Sequence, residues 1–189
     1  MKSILSSPPE AEPVSLAEAK AHLRIDGASE DALLARLIAS GRRHVEAATG
    51  LALIAQGWSH FLDCWPRGPV VELPVAPVMA IEEVVVFGEE GEASPLDPSH
   101  YYADTVGRRA RLVLRRDRRW PPPGRVANGI EIKVTAGFGE TPGDVPEGLA
   151  NAILRLVAYW YENRGDDDEP VNPPLGVALS LEPFREMRL

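Results

Sequence analysis

The chain has 189 residues, a single cysteine and a formal net charge of −8, from 28 acidic against 20 basic residues. A lone Cys64 excludes an internal disulfide and reads as a small buried hydrophobe, in a protein made in a reducing cytoplasm or indifferent to redox state. The acidic balance argues against a general nucleic-acid coat, because neutralising phosphates needs a basic face. No run approaches the roughly 20 apolar residues of a membrane span, and the start MKSILSSPPE is too short in apolar residues for a signal peptide, so a soluble protein with no cleaved export signal is expected.

The length fits one ordinary domain with appendages, held together without disulfide or metal. Residues 1–13, with three prolines and little periodicity, read as an extended N-terminal arm with no core of its own. Order begins at the capping box Ser15-Leu16-Ala17-Glu18, which predicts a short helix over about 15–24 that ends near Asp26-Gly27. A second helix is expected over about 30–49. Leu34, Leu37, Ile38, Gly41, Val45 and Ala48 fall on one helical face, Arg36, Arg42, Arg43 and Glu46 point elsewhere, and Gly50 closes the helix. Gly41 on the apolar face costs about 1 kcal/mol against alanine, which calls for the close approach of another helix.

From Gln56 to Gly137 the chain turns to short β-branched and aromatic runs separated by proline and glycine, 18 and 16 of which the sequence carries. Strands are expected at Trp58 to Leu62, Val70 to Leu73, Ile81 to Phe87, Tyr101 to Asp104, Arg111 to Leu114 and Ile130 to Thr135. About ten residues per strand leaves no room for crossovers, so the sheet should be antiparallel. Residues 88–92 read as a hairpin tip, and Pro121 to Pro123 as a rigid connector. Helical periodicity returns after Asp144-Val145-Pro146, where Pro146 stands at a first helical position. Leu149, Ile153, Leu156, Val157 and Trp160 make its apolar stripe as far as Arg164-Gly165. The acidic run 166–169 and Asn172-Pro173-Pro174 form a solvated break before a last amphiphilic stretch, Leu175 to Leu189. The fold class is therefore α+β: a small helical bundle with an inserted antiparallel β region over about 56–137, in a domain over 14–165, and an extended C-terminal arm over 166–189.

No constellation for chemistry emerges. His22, His44, His60 and His100 lie on different elements, without the i, i+4 spacing of a helical zinc site. No Gly-x-Ser-x-Gly elbow anchors a catalytic triad. The run 166–169 lacks the spaced ligands of a calcium loop. Residues 136–143 sit where a phosphate loop would, but carry Glu140 and lack the Gly-Lys-Ser/Thr ending, so they read as a tight turn. No catalytic residue, metal or cofactor is expected.

The most distinctive charge feature is Arg108, Arg109, Arg111, Arg115, Arg116, Arg118 and Arg119, seven arginines in thirteen residues ending at Trp120. Three readings are open. The stretch is a solvated hairpin with local ion pairs worth under about 1 kcal/mol each. Or it meets the acidic face of a neighbouring subunit, since the chain has acidic patches at 89–92 and 166–169. Or it contacts the phosphates of passing DNA, with Trp120 as a stacking surface.

Taken in order, the markers resemble a known family. Val14-Ser15-Leu16-Ala17-Glu18-Ala19-Lys20-Ala21-His22-Leu23-Arg24, Asp31-Ala32-Leu33-Leu34 and Glu46-Ala47-Ala48-Thr49-Gly50 are similar to the head-tail connector, or adaptor, family of long-tailed phages and the related gene transfer agents. So are Trp120-Pro121, Ala136-Gly137-Phe138-Gly139, Val145-Pro146, Ala152-Ile153, Tyr161-Glu162-Asn163-Arg164 and Pro183-Phe184-Arg185. Phe138 and Phe184 stand where that family carries tyrosine. The resemblance implies a non-catalytic ring subunit, typically one of twelve, between the portal and a tail-side stopper or neck protein. DNA would pass through the channel without sequence specificity, in a particle neck assembled in the bacterial cytoplasm and away from any membrane. It also implies that the C-terminal tail docks onto portal or neighbouring subunits through Leu179, Leu181, Phe184 and Arg185. The alternative is a DNA-binding or packaging accessory module using the arginine-rich hairpin.

Overall fold

The computed structural model of the chain describes residues 1–107, 109–163 and 174–185. Arg108, Arg164, the acidic run 166–169 and residues 186–189 of the expected tail therefore lie outside the described residues. The chain divides into two compact units, one formed by Met1–Glu10 and Ala55–Phe138, the other by Ala11–Ile54 and Gly139–Leu189.

The second unit is helical. Helix α1, Leu16–Leu23, starts with the expected capping box: the Ser15 hydroxyl accepts from the Glu18 amide, and the Glu18 carboxylate accepts from the Ser15 amide at 2.8 Å. Its end comes at Arg24, which takes the left-handed conformation with φ 56°. Helix α2, Asp31–Thr49, is closed by Gly50 at φ 71°. Helix α3, Glu147–Glu162, begins one residue later than the sequence suggests, with Pro146 as the cap rather than the first helical residue. A fourth helix, α4, spans Leu175–Leu181 and is followed by a 3-10 turn at Glu182–Phe184.

The apolar stripes of α2 and α3 meet where the glycine predicted it. A methyl group placed on Gly41 would stand 3.1 Å from Ile153 Cγ2 and 3.7 Å from the Ile153 carbonyl oxygen, so only a hydrogen fits without a shift. Leu34, Ile38 and Val45 of α2 and Leu149, Ile153 and Leu156 of α3 are all buried. The assignment of Arg42 to the solvent face is corrected: it is 7% exposed. Its guanidinium donates to Glu12 and Glu46, each at 2.8 Å, and Glu46 also accepts from the Leu53 amide. Burial alone pulls the Arg42 pKa down, and these two carboxylates more than offset it. The hydrophobic pattern could not show this, because Glu12 comes from a segment outside the helix.

The first unit is β. Strands β1 (Lys2–Ser7), β2 (Gln56–Leu62), β3 (Val70–Glu72), β4 (Val78–Phe87), β5 (Ala93–Pro95), β6 (Tyr101–Asp104), β7 (Arg111–Leu114) and β8 (Ile130–Ala136) form two antiparallel sheets, ordered β1-β2-β8-β4-β5 and β3-β7-β6. Six of the eight were legible as apolar runs. β8 is the centre of the larger sheet and alternates strictly: Ile130, Ile132, Val134 and Ala136 are buried, the residues between them half-buried. On the other face Lys133 pairs with Glu83 at 2.8 Å and the Thr135 hydroxyl donates to Glu82.

Two elements differ from expectation. Residues 2–7 are not a free arm but an edge strand paired to β2, although all six are exposed. Cys64 is exposed, because it falls in the β2–β3 connection beyond the last strand residue facing the core.

Gly41→Leu inserts side-chain volume where α2 and α3 leave none, so it should lower unfolding stability by about 1–3 kcal/mol. Urea denaturation followed by far-UV circular dichroism measures this.

Candidate functional site

Two surfaces carry the residues singled out by sequence, and each belongs to one unit. In the β unit the arginines do not form one hairpin tip. Arg109 lies in the β6–β7 connection and Arg111 on β7, where the Asp104 carboxylate of β6 accepts its guanidinium N–H groups. That hydrogen bond holds the Asp104 carboxyl below and the Arg111 guanidinium above their ordinary values. The strand, four residues and about 13 Å long, then separates them from Arg115, Arg116, Arg118 and Arg119 at its other end.

These last four are exposed and share one turn, closed by the Arg118 amide donating to the Arg115 carbonyl at 3.0 Å. The turn is fixed from both sides. The Arg115 amide donates to His100, and its guanidinium lies 5.7 Å from the centre of the Tyr102 ring. Beyond the turn Trp120 stacks on Trp65 with centroids 4.1 Å apart and planes 9° from parallel. Both indoles donate to backbone carbonyls, Trp65 to Pro121 and Trp120 to Gly68. Trp120 is thus a buttress for the turn, with one ring face already occupied, rather than a free stacking platform. No sequence pattern announced this pair, whose members stand 55 positions apart.

In the helical unit, α4 rests on α3 with Val177 and Leu181 buried, at 0% and 1% exposure. The four expected docking residues are therefore divided. Leu179 is 60% exposed, as is Leu175 at 75%, and both lie on the face of α4 away from the buried pair. Leu181 belongs to the core of its own unit. Phe184 is half-buried and its ring packs against Gly148, where an added methyl would meet ring carbons at 3.3 Å. Arg185 is exposed, and its side chain donates to Glu182 at 2.7 Å.

The turn read as a failed phosphate loop contains its own anion. The Asp144 carboxylate accepts from the Thr141 amide at 2.9 Å and from the Thr141 hydroxyl at 2.7 Å, which holds its pKa below the ordinary range. Any side chain at Gly139 would collide with Asp144. Among the described residues no group of three or more His, Cys, Asp and Glu side chains converges on a metal-sized site, and no helix is long and apolar enough to cross a membrane.

The histidines are dispersed. His44 meets Trp160 edge-on, with ring centroids 6.0 Å apart, in the helical unit. His60 is fully buried on β2, stacked over Trp58, with Nδ1 2.9 Å from the Ser3 hydroxyl and Nε2 without a hydrogen-bond partner among the described residues.

Residues 13–95 match the family model of phage gp6-like head-tail connector proteins. The whole chain superposes on a chain from the neck of an empty gene transfer agent particle computed with C6 symmetry. Identity is 27% and the TM-score 0.86, over 100% of this chain and 97% of that one. In fold, the chain is similar to a particle neck protein. The same identity and coverage hold for a chain of the native gene transfer agent virion, at TM-score 0.86, and for one in the neck of the native particle computed with C12 symmetry, at 0.83. No curated protein matches it in sequence. The likeness covers both units.

Two outcomes follow. Leu181→Ala opens a cavity under α4 and should cost about 2–5 kcal/mol, whereas Leu179→Asp on the exposed face should stay within about 0.5 kcal/mol of the parent in the same denaturation experiment. Burial holds the His60 imidazole down, at about 4, against 6.5 when unfolded. The unfolded chain therefore binds the extra proton between these values. Stability should be fully present above pH 6.5 and fall by up to about 3 kcal/mol as the pH drops towards 4. Replacing His60 with Leu should flatten that part of the profile.

Proposed function

We propose that this chain is a structural subunit of the neck of a phage-like particle, a head-tail adaptor that works by assembling into a closed ring and not by catalysis. The observation that carries this reading is the end-to-end likeness to neck chains of gene transfer agent particles, in structures computed with C6 and C12 symmetry.

In this reading the ring lies between the portal and a tail-side stopper, DNA passes through it, and α4 supplies a docking surface. Leu175 and Leu179 are apolar, exposed and on one face, and Leu181 anchors the helix that presents them. A pair of leucines held out on a helix seated on its own core is a preformed binding ridge, which reduces the ordering cost of association. Phe184 and Arg185 flank that ridge. The turn with Arg115, Arg116, Arg118 and Arg119 is a second contact, for an acidic partner. Its four exposed cations also support a second reading, in which the same turn touches passing DNA through phosphates.

Co-expression with portal followed by electron microscopy should give symmetric annuli for the parent chain. The double change Leu175→Asp and Leu179→Asp should abolish docking on the portal while leaving the fold intact by circular dichroism. Annuli unaffected by that change would remove α4 from the interface. Changing Arg115, Arg116, Arg118 and Arg119 to Ser separates the two readings of the turn. Loss of salt-sensitive DNA retention by the isolated protein favours the DNA contact, and loss of ring closure without change in DNA retention favours the subunit contact.

A further inference from the structure

The two edges of the larger sheet differ in a way that its interior does not explain. At one end β1 pairs with β2 alone and has no buried residue, yet exposes Ile4 at 58% and Leu5 at 42%. A six-residue strand of this kind presents a free row of backbone donors and acceptors and is a template for another strand. Its only protections are Lys2 at the start and an irregularity in register between Leu5 and Ser7. At the other end β5 covers β4 opposite Val85–Phe87, and the Leu96 amide just beyond it donates to the Val84 carbonyl at 2.7 Å, leaving residues 78–83 with an open outer edge that exposes Met79 at 45%.

We infer that β1 of one subunit adds to the open edge of β4, residues 78–83, in the next subunit, so that the sheet continues around the ring. Three observations select this occupant. Cyclic symmetry joins unlike surfaces head to tail, so β1 cannot pair with its own copy, which would close a twofold dimer. Strand direction alternates across β1, β2, β8 and β4, every neighbouring pair being antiparallel. A second copy laid beside the first in the same orientation therefore brings its β4 antiparallel to β1. The open stretch of β4 also matches β1 in length, six residues each, and like β1 it is irregular in register, at Met79 and Glu82. An antiparallel register that sets Leu5 beside Met79 puts Lys2 beside Glu82, joining two exposed apolar side chains and two opposite charges.

This inference rests on the ring assembly proposed above, and one experiment tells their failures apart. In a Cys64→Ser background, the double change Leu5→Cys and Met79→Cys is expressed with portal, the annuli are imaged, and a mild oxidant is added. Within one chain β1 and β4 are three strand spacings apart, about 14 Å, beyond the reach of a disulfide. Every crosslink is therefore between subunits. The expected result is a ladder of covalent oligomers on a denaturing gel, extending towards ring size, with Leu5→Cys alone giving none. Annuli without a ladder would overturn the edge pairing and leave the ring intact. Dimers from Leu5→Cys alone, or a crosslink of Leu5→Cys to the portal, would also overturn it. Absence of both annuli and ladder would overturn both proposals. A charge exchange gives an independent check: Lys2→Glu or Glu82→Lys alone should reduce the ring fraction roughly twofold or more at low salt, and the two together should restore it.

Discussion

The approach of α2 to α3 at Gly41 sets the geometry on which the helical unit depends. With no side chain at that point, the Ile153 side chain fills the space at 3.1 Å from where a methyl carbon would stand, and the stripes on either side close over each other. α3 is thereby fixed along its length and becomes the floor on which α4 lies. α4 has only seven residues and no side-chain cap, so it has little helical stability of its own. Its two inward residues hold it in place, and its two outward leucines are presented as a consequence. A glycine in one helix thus determines the exposure of side chains more than 130 positions away.

Local rules made much of this readable in advance. The capping box at Ser15, the glycine stop at Gly50 and the glycine on the apolar stripe each involve groups within one turn of the chain, or a missing group whose consequence is steric. Six strands were visible because β-branched runs were bounded by proline and glycine. What stayed hidden depended on partners distant in sequence. The strand formed by residues 2–7 has no alternation to detect, because none of its residues is buried. Arg42 looked solvent-facing until Glu12 came to meet it. The tryptophan stack joins two connections with no shared pattern, and Leu181 was indistinguishable from Leu179 until the side of α4 that faces α3 was known.

The arginine stretch shows how a count of charges in sequence misleads about charge in space. Seven arginines in thirteen residues suggest one dense patch. The strand between them divides the described members, leaving one local ion pair with Asp104 and one compact turn with four exposed cations. That turn stays in place because aromatic and backbone contacts hold the segments on both sides of it, which reduces the freedom its side chains would lose on meeting a partner.

The Thr141–Asp144 turn has a further implication for how this scaffold can vary. A strand-to-helix connection rich in glycine is where many folds recruit a phosphate, using amides that would otherwise lack acceptors. Here a covalently attached carboxylate already fills that role, and its neighbour Gly139 has lost its side chain to make room. The connection is a saturated anion receptor. Adding a lysine would not turn it into a nucleotide site, since any incoming phosphate would first have to displace a ligand the chain cannot release.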